Sequence, residues 1–438
     1  MKILVIFILY FLIFAFWNIF FAKRDKFKNL YLVFFLFLFS FYLSTPYYQI
    51  NLDGSRESAS LHTVFVALIV CLFFVANKRV LKPGKELILF IPIFFQALIT
   101  VLYFKFSNIA DVFGILNAYI SIYLIILIYR SVPNIDINKF LYSINYLALV
   151  NGILGMAQYI TGKSLLIGSF NSSILYTEGM VDIKRVIGLA GANNAAGTFS
   201  AILFGVVLYN LLKKRDILSL ITLIITTVFA VLTFTRVGYV AIFAEVLIFW
   251  FLYKPKTKRT QFTKIISFCF GLPIIVIVTS SFVSGLINKL FTERGDTSSE
   301  RFRQFQRAYD YVISNNWFSG IGIGQYKPYL LNNYRIADLP IHSQYLNVLA
   351  EQGVLILIVF VLFNFTIIYK ILRNKHIDKD LKVLTVAIFS ANFMCSNFNP
   401  NQFYYMNNVL YYIIMLGLYF YAKRYKVAPL DKELKIAA

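Results

Sequence analysis

The side chains suited to proton or phosphate chemistry are few, and they gather in the second half of the chain. His342 stands where a long polar segment gives way to an apolar helical pattern that begins Gln344-Tyr345-Leu346. A neutral imidazole at such a junction can take a proton from a hydroxyl near pH 7. The other two histidines carry less: His62 adjoins an apolar run and reads as a packed polar residue, and His376 lies among lysines. Arginines accompany His342, at positions Arg185, Arg236, Arg294, Arg301, Arg303, Arg307 and Arg335. A guanidinium is planar and forked, which suits phosphate, although anchoring to lipid headgroups competes as a reading for each one. Arg236 belongs to Thr233-Phe234-Thr235-Arg236-Val237-Gly238, a short turn between apolar runs where a charge is costly and tends to mark function. Glu245 lies deeper in the following run. It reads first as a hydrogen-bond partner between helices and second as part of an ion path.

Other patterns fail on spacing. Gly162-Lys163-Ser164 lacks the first glycine of a phosphate loop, because Ala157 stands in its place. Gly320, Gly322 and Gly324 miss the dinucleotide spacing, and Asp378 and Asp380 read as a solvated cluster among lysines. No His, Cys or acidic residues have the spacing of a metal site, so neither metal nor cofactor is expected.

These residues need a scaffold, and composition says which. Of 438 residues 59% are hydrophobic and 14% charged, with a mean hydropathy of +0.71. Such values exclude an ordinary cytosolic globule, a disordered chain and a disulfide-built secreted domain. Cys71, Cys269 and Cys395 all lie in apolar runs and read as core residues. Apolar runs long enough to cross a bilayer fall near 3–22, 29–47, 60–77, 87–104, 109–129, 140–161, 193–212, 217–235, 237–253, 265–284, 348–370, 381–396 and 405–422. The expected fold is therefore an all-α polytopic membrane protein of about thirteen spans, a single membrane domain over 1–438. The first run resembles a signal peptide but has no small-residue cleavage site, so it is expected to be retained.

Basic clusters occupy every second connection and hold 28 of the 42 Lys and Arg residues. That bias places these connections and the C-terminus in the cytoplasm and the N-terminus outside. The net charge of +22 is then mostly a topology signal rather than a sign of nucleic-acid binding. Two long outer loops remain, near 162–192 and 285–347. In the second, Thr297-Ser298-Ser299-Glu300 reads as a capping box, and Phe302, Phe305, Tyr309 and Val312 follow at helical spacing.

Three stretches resemble the bacterial O-antigen ligase/polymerase superfamily, within about residues 150–370. They are Arg185-Val-Ile-Gly188 through Asn193-Asn194, Leu232 through Arg236-Val-Gly238, and the long run from Glu300-Arg301 through Trp317 and Gly320–Gly324 to His342-Ser-Gln-Tyr345 and Glu351-Gln-Gly353. Thr235 and Ser343 depart from the residues members often carry, Ser and Asn. The resemblance implies a GT-C-like, metal-independent, inverting glycosyltransferase of the bacterial inner membrane, working on its outer face. The donor would be an undecaprenyl-pyrophosphate-linked glycan. His342, Arg236 and Arg301 would be catalytic, and Arg185, Asn193, Arg303, Tyr345 and Glu351 would bind substrate. A surface-polysaccharide polymerase extending a lipid-linked repeat unit is the favoured role, with a chain-length regulator and a flippase as partners. A ligase acting on lipid A core or protein is the alternative. A lipid-linked oligosaccharide flippase is the reading from another class, and it lacks the expected internal repeats.

Overall fold

The computed structural model describes residues 2–23, 25–50, 56–76, 90–93, 95–96, 109–178, 181–254, 297–399 and 404–425. They form a helical bundle with two small antiparallel hairpins. Its N-terminal part comprises α1 (Lys2–Trp17, prolonged by a π-helical turn Asn18–Ala22), α2 (Lys28–Phe37), β1 (Tyr42–Ile50), β2 (Arg56–His62) and α3 (Thr63–Val75). Then come α4 (Ile109–Ser131), α5 (Ile137–Thr161), β3 (Leu175–Glu178), β4 (Val181–Lys184), α6 (Asn193–Lys214), α7 (Ile217–Leu232) and α8 (Arg236–Leu252). The segment before the last three helices supplies α9 (Thr297–Arg307) and α10 (Tyr326–Tyr334). The chain closes with α11 (Gln344–Arg373), α12 (Lys379–Ser396) and α13 (Tyr405–Tyr425).

Among the described residues five helices are long and apolar enough to cross a membrane: Lys2–Ala22, Ile109–Ser131, Ile137–Thr161, Asn193–Lys214 and Gln344–Arg373. The run at 29–47 is not one span. Its helix stops at Phe37, and Tyr42–Ile50 pairs with Arg56–His62 as a hairpin. Ser, Thr and Pro in Tyr42-Leu-Ser-Thr-Pro-Tyr-Tyr break the helical pattern, and the aromatic and hydroxyl residues suit a strand. Likewise 60–77 begins as strand, and its helix runs only from Thr63 to Val75. The run at 265–284 lies outside the described residues, as do Cys269 and Arg294.

Two helices form the centre. Every residue of α13 from Tyr405 to Phe420 is buried, and α6 packs against α5, α7, α8, α12 and α13. By contrast α1 and α7 show Leu4, Leu12, Phe20, Ile217 and Ile224 to the outside, as lipid-facing helices do.

Cross-helix contacts show which termini share an end. Lys213 at the foot of α6 pairs with Asp378 and, at 3.5 Å, with Asp380, both at the start of α12. Asn374 after α11 donates to the Ala422 carbonyl in α13, and Tyr253 after α8 donates to Leu212 in α6. The basic clusters at these termini thus share one end. At the other end the Asn407 amide reaches the Ala195 carbonyl, and Ser343 donates to Asn397 at 3.3 Å.

Candidate active site

The arginine and histidine chemistry collects at the second end. Its floor is held by polar side chains of α5. Gln158 accepts from the amides of Ile187 and Gly188 at 3.1 and 2.8 Å, and Asn151 accepts from Leu189 at 2.8 Å. These bonds pin the strand-to-helix connection and drive Arg185 inward, to 1% exposure. Its Nε donates to the Thr233 carbonyl at 3.0 Å, and Nη2 donates to Asn194 Oδ1 and Thr235 Oγ1, both at 3.2 Å. The guanidinium also lies over the Tyr176 ring, 5.0 Å from its centroid. These oxygens are uncharged and fix the orientation of the guanidinium. Thr235 is tied in turn to the Asn193 carbonyl at 3.1 Å, which sets the first turn of α6 against Arg236 at the start of α8.

Tyr404 joins this group to α9: it lies beside the Asn194 side chain and in the fields of both Arg301 and Arg185. Arg301, on α9, also acts on His342. Burial first, and then the Arg301 cation, push the imidazole below its ordinary pKa of 6.5, while Asp338 pulls the other way. The ring is therefore neutral at pH 7.

The hydrogen bonds of His342 decide its tautomer. Gln304 Nε2 donates to the carbonyls of Leu339 and Pro340 at 2.9 and 3.1 Å. Its Oε1 must then face His342, where it accepts from the backbone amide at 3.1 Å. The same oxygen lies 2.9 Å from Nδ1. An oxygen already accepting from an N–H and bearing no proton requires Nδ1 to be the donor, which leaves the Nε2 lone pair as the basic site.

Other expected site residues have different surroundings. Arg303 is exposed and pairs with Glu300 at 2.8 Å, and Arg307 forms a forked pair with Asp338 at 3.0 and 3.2 Å. Glu351 is buried and accepts from the Gly324 and Tyr326 amides at 2.9 and 3.1 Å, so it fastens the glycine run to α11. The fastening continues through Ile321 to the Ala350 carbonyl, Gly322 to the Glu351 carbonyl and Val354 to the Trp317 carbonyl. Gly353 makes the close approach possible: its φ is +82°, and a Cβ there would meet the Phe318 carbonyl at 2.1 Å. Tyr345 lines an apolar groove of about 520 Å³ with Phe302, Phe305, Leu349 and Phe398. The amphipathic stripe expected on α9 is also divided. A π-helical turn over Ala308–Ile313 changes the phase, so Val312 is buried while Phe302 and Tyr309 stay exposed.

Gln304 and Tyr404 were not legible as site residues. Gln304 does interrupt an inward stripe with Ala308 and Val312 at four-residue spacing, which is a signal of a buried polar role.

A helical membrane protein that collects guanidinium groups beside an oriented, neutral imidazole has the equipment to move a group from a phosphate-bearing leaving group to a hydroxyl. Residues 221–361 match the family described as O-antigen ligase, which supports membership of the O-antigen ligase/polymerase superfamily. That family is glycosyltransferase-like, and it implies lipid-linked glycan substrates. The match includes Arg236, Arg301 and His342 and begins after Arg185. No curated protein matches the chain.

Proposed function

We propose that the protein is a surface-polysaccharide polymerase that transfers a glycan from undecaprenyl pyrophosphate to a sugar hydroxyl of a lipid-linked repeat unit. Its site faces outward from the bacterial inner membrane. The observation that carries this reading is the Gln304-oriented His342 next to the Arg301–Tyr404–Arg185 group. Nε2 removes the acceptor proton as the oxygen attacks the anomeric carbon, and direct attack inverts that carbon. Arg301, Arg236 and Arg185 stabilise the pyrophosphate as its bond to the sugar breaks, without a metal. Asn193 sets the Arg185 environment through Thr235.

The test is reconstitution of the full chain in vesicles with a lipid-linked repeat unit and excess chelator. A ladder of products with inverted linkages is expected. A single transfer to lipid A core, without a ladder, would mark a ligase. Activity lost with chelator and restored by magnesium or manganese would overturn the arginine-based reading.

A further inference from the structure

A second, polar cavity of about 510 Å³ opens beside His342, on the side of β1 and β2. Its size suits a small-molecule site. One wall is a single face of α4, where Asp111, Gly114 and Asn117 follow at helical spacing. Asn117 donates to the Ser60 carbonyl at 3.2 Å and so fixes the hairpin against α4. Lys327 pairs with Asp111 at 2.9 Å, which leaves this carboxylate and ammonium with little net charge between them. Tyr404 and His342 both line the cavity. At Gly114 an added Cβ would have nothing within 4 Å, so the helix presents open space to the cavity there.

We propose that this cavity seats the acceptor sugar, with Asp111 and Asn117 beside its hydroxyls and one hydroxyl brought to His342 Nε2. The chemistry fits a sugar: a carboxylate, an amide and serine hydroxyls can pair with hydroxyl groups, and Tyr404 and Tyr42 offer ring faces. The cavity shares no lining residue with the apolar groove around Tyr345, so the two are separate spaces. The assignment rests on the polymerase reading for its reaction, but the binding site itself is independently testable.

The probe is the lipid-free repeat-unit oligosaccharide released from the host's own carrier by mild acid. Gly114→Trp in the full chain fills the cavity, and Asp111→Asn removes its carboxylate with little change of shape. In transfer assays both should raise the KM for this acceptor, Gly114→Trp by about tenfold or more, and leave the KM for the lipid-linked donor unchanged. Saturation-transfer signals from the oligosaccharide should weaken in parallel. An unchanged acceptor KM in both variants, or a rise in donor KM instead, would overturn the proposal while leaving the polymerase reading intact. Oligosaccharide binding that is lost in Gly114→Trp, from a wild type that transfers nothing, would sustain the cavity and remove the polymerase reading.

Discussion

The two ends of the bundle use positive charge in opposite ways. One end carries lysines such as Lys213, whose ion pairs with Asp378 and Asp380 are partly exposed. At the other end Arg185 is fully buried and held by carbonyl, amide and hydroxyl oxygens. Many solvated charges decide which way a chain inserts, because the bias is a sum over loops. A few desolvated and oriented charges can do chemistry, because the surrounding dielectric amplifies each one. Counting cations therefore informs topology, and the partners of each cation inform function.

The largest contrast is all or none. Asn332→Cys should react with an impermeant maleimide in intact cells and Lys375→Cys should not. Labelling of both, or of Lys375→Cys alone, would break the assignment of the two ends. Next comes His342→Ala, expected to lower turnover by roughly 100- to 10,000-fold, the range of general base catalysis. His342→Asn keeps hydrogen-bonding capacity at that position, and near-normal turnover from it would remove the base assignment.

Arg236→Ala and Arg301→Ala should each cost about 100- to 1,000-fold, with lysine restoring part of the loss. Arg301 allows a finer reading. The wild-type rate should fall as pH drops through the imidazole pKa, which lies below 6.5. Because the Arg301 cation disfavours the imidazolium, Arg301→Gln should raise that pKa and move the acid limb to higher pH; an unmoved limb would separate the two residues. Gln304→Leu should cost about tenfold in kcat, equivalent to one hydrogen bond, with donor KM unchanged. At the lysine end, Lys213→Ala should change stability by no more than about 1 kcal/mol and activity not at all. A loss comparable to that of Arg301→Ala would erase the distinction between the ends.

Much of this was readable from the residues, to different depths. The spans at 109–129, 140–161 and 193–212 correspond to α4, α5 and α6 because long apolar runs have one solution in a membrane. The strand that begins inside 29–47 was hidden because apolar content does not distinguish a strand from a helix, and Pro46 was the available warning. His342, Arg236 and Arg301 stood out by type and position. Glu351 stood out equally, yet its carboxylate faces backbone amides. A family-like pattern marks what a fold needs as well as what a reaction needs, and the contacts separate them. Gln304 was illegible because its role depends on carbonyls 35 and 36 residues away.

The glycine run fastened to the kink of α11 has a thermodynamic consequence. Residues 320–324 are ordered by the protein's own hydrogen bonds to Ala350 and Glu351, and Glu351 accepts from the Tyr326 amide, two residues further on, as well. Fixing backbone costs roughly 1–2 kcal/mol per residue, and here folding has already met that cost. Substrate capture then needs no ordering of this segment, and heat-capacity changes on glycan binding should reflect buried surface alone.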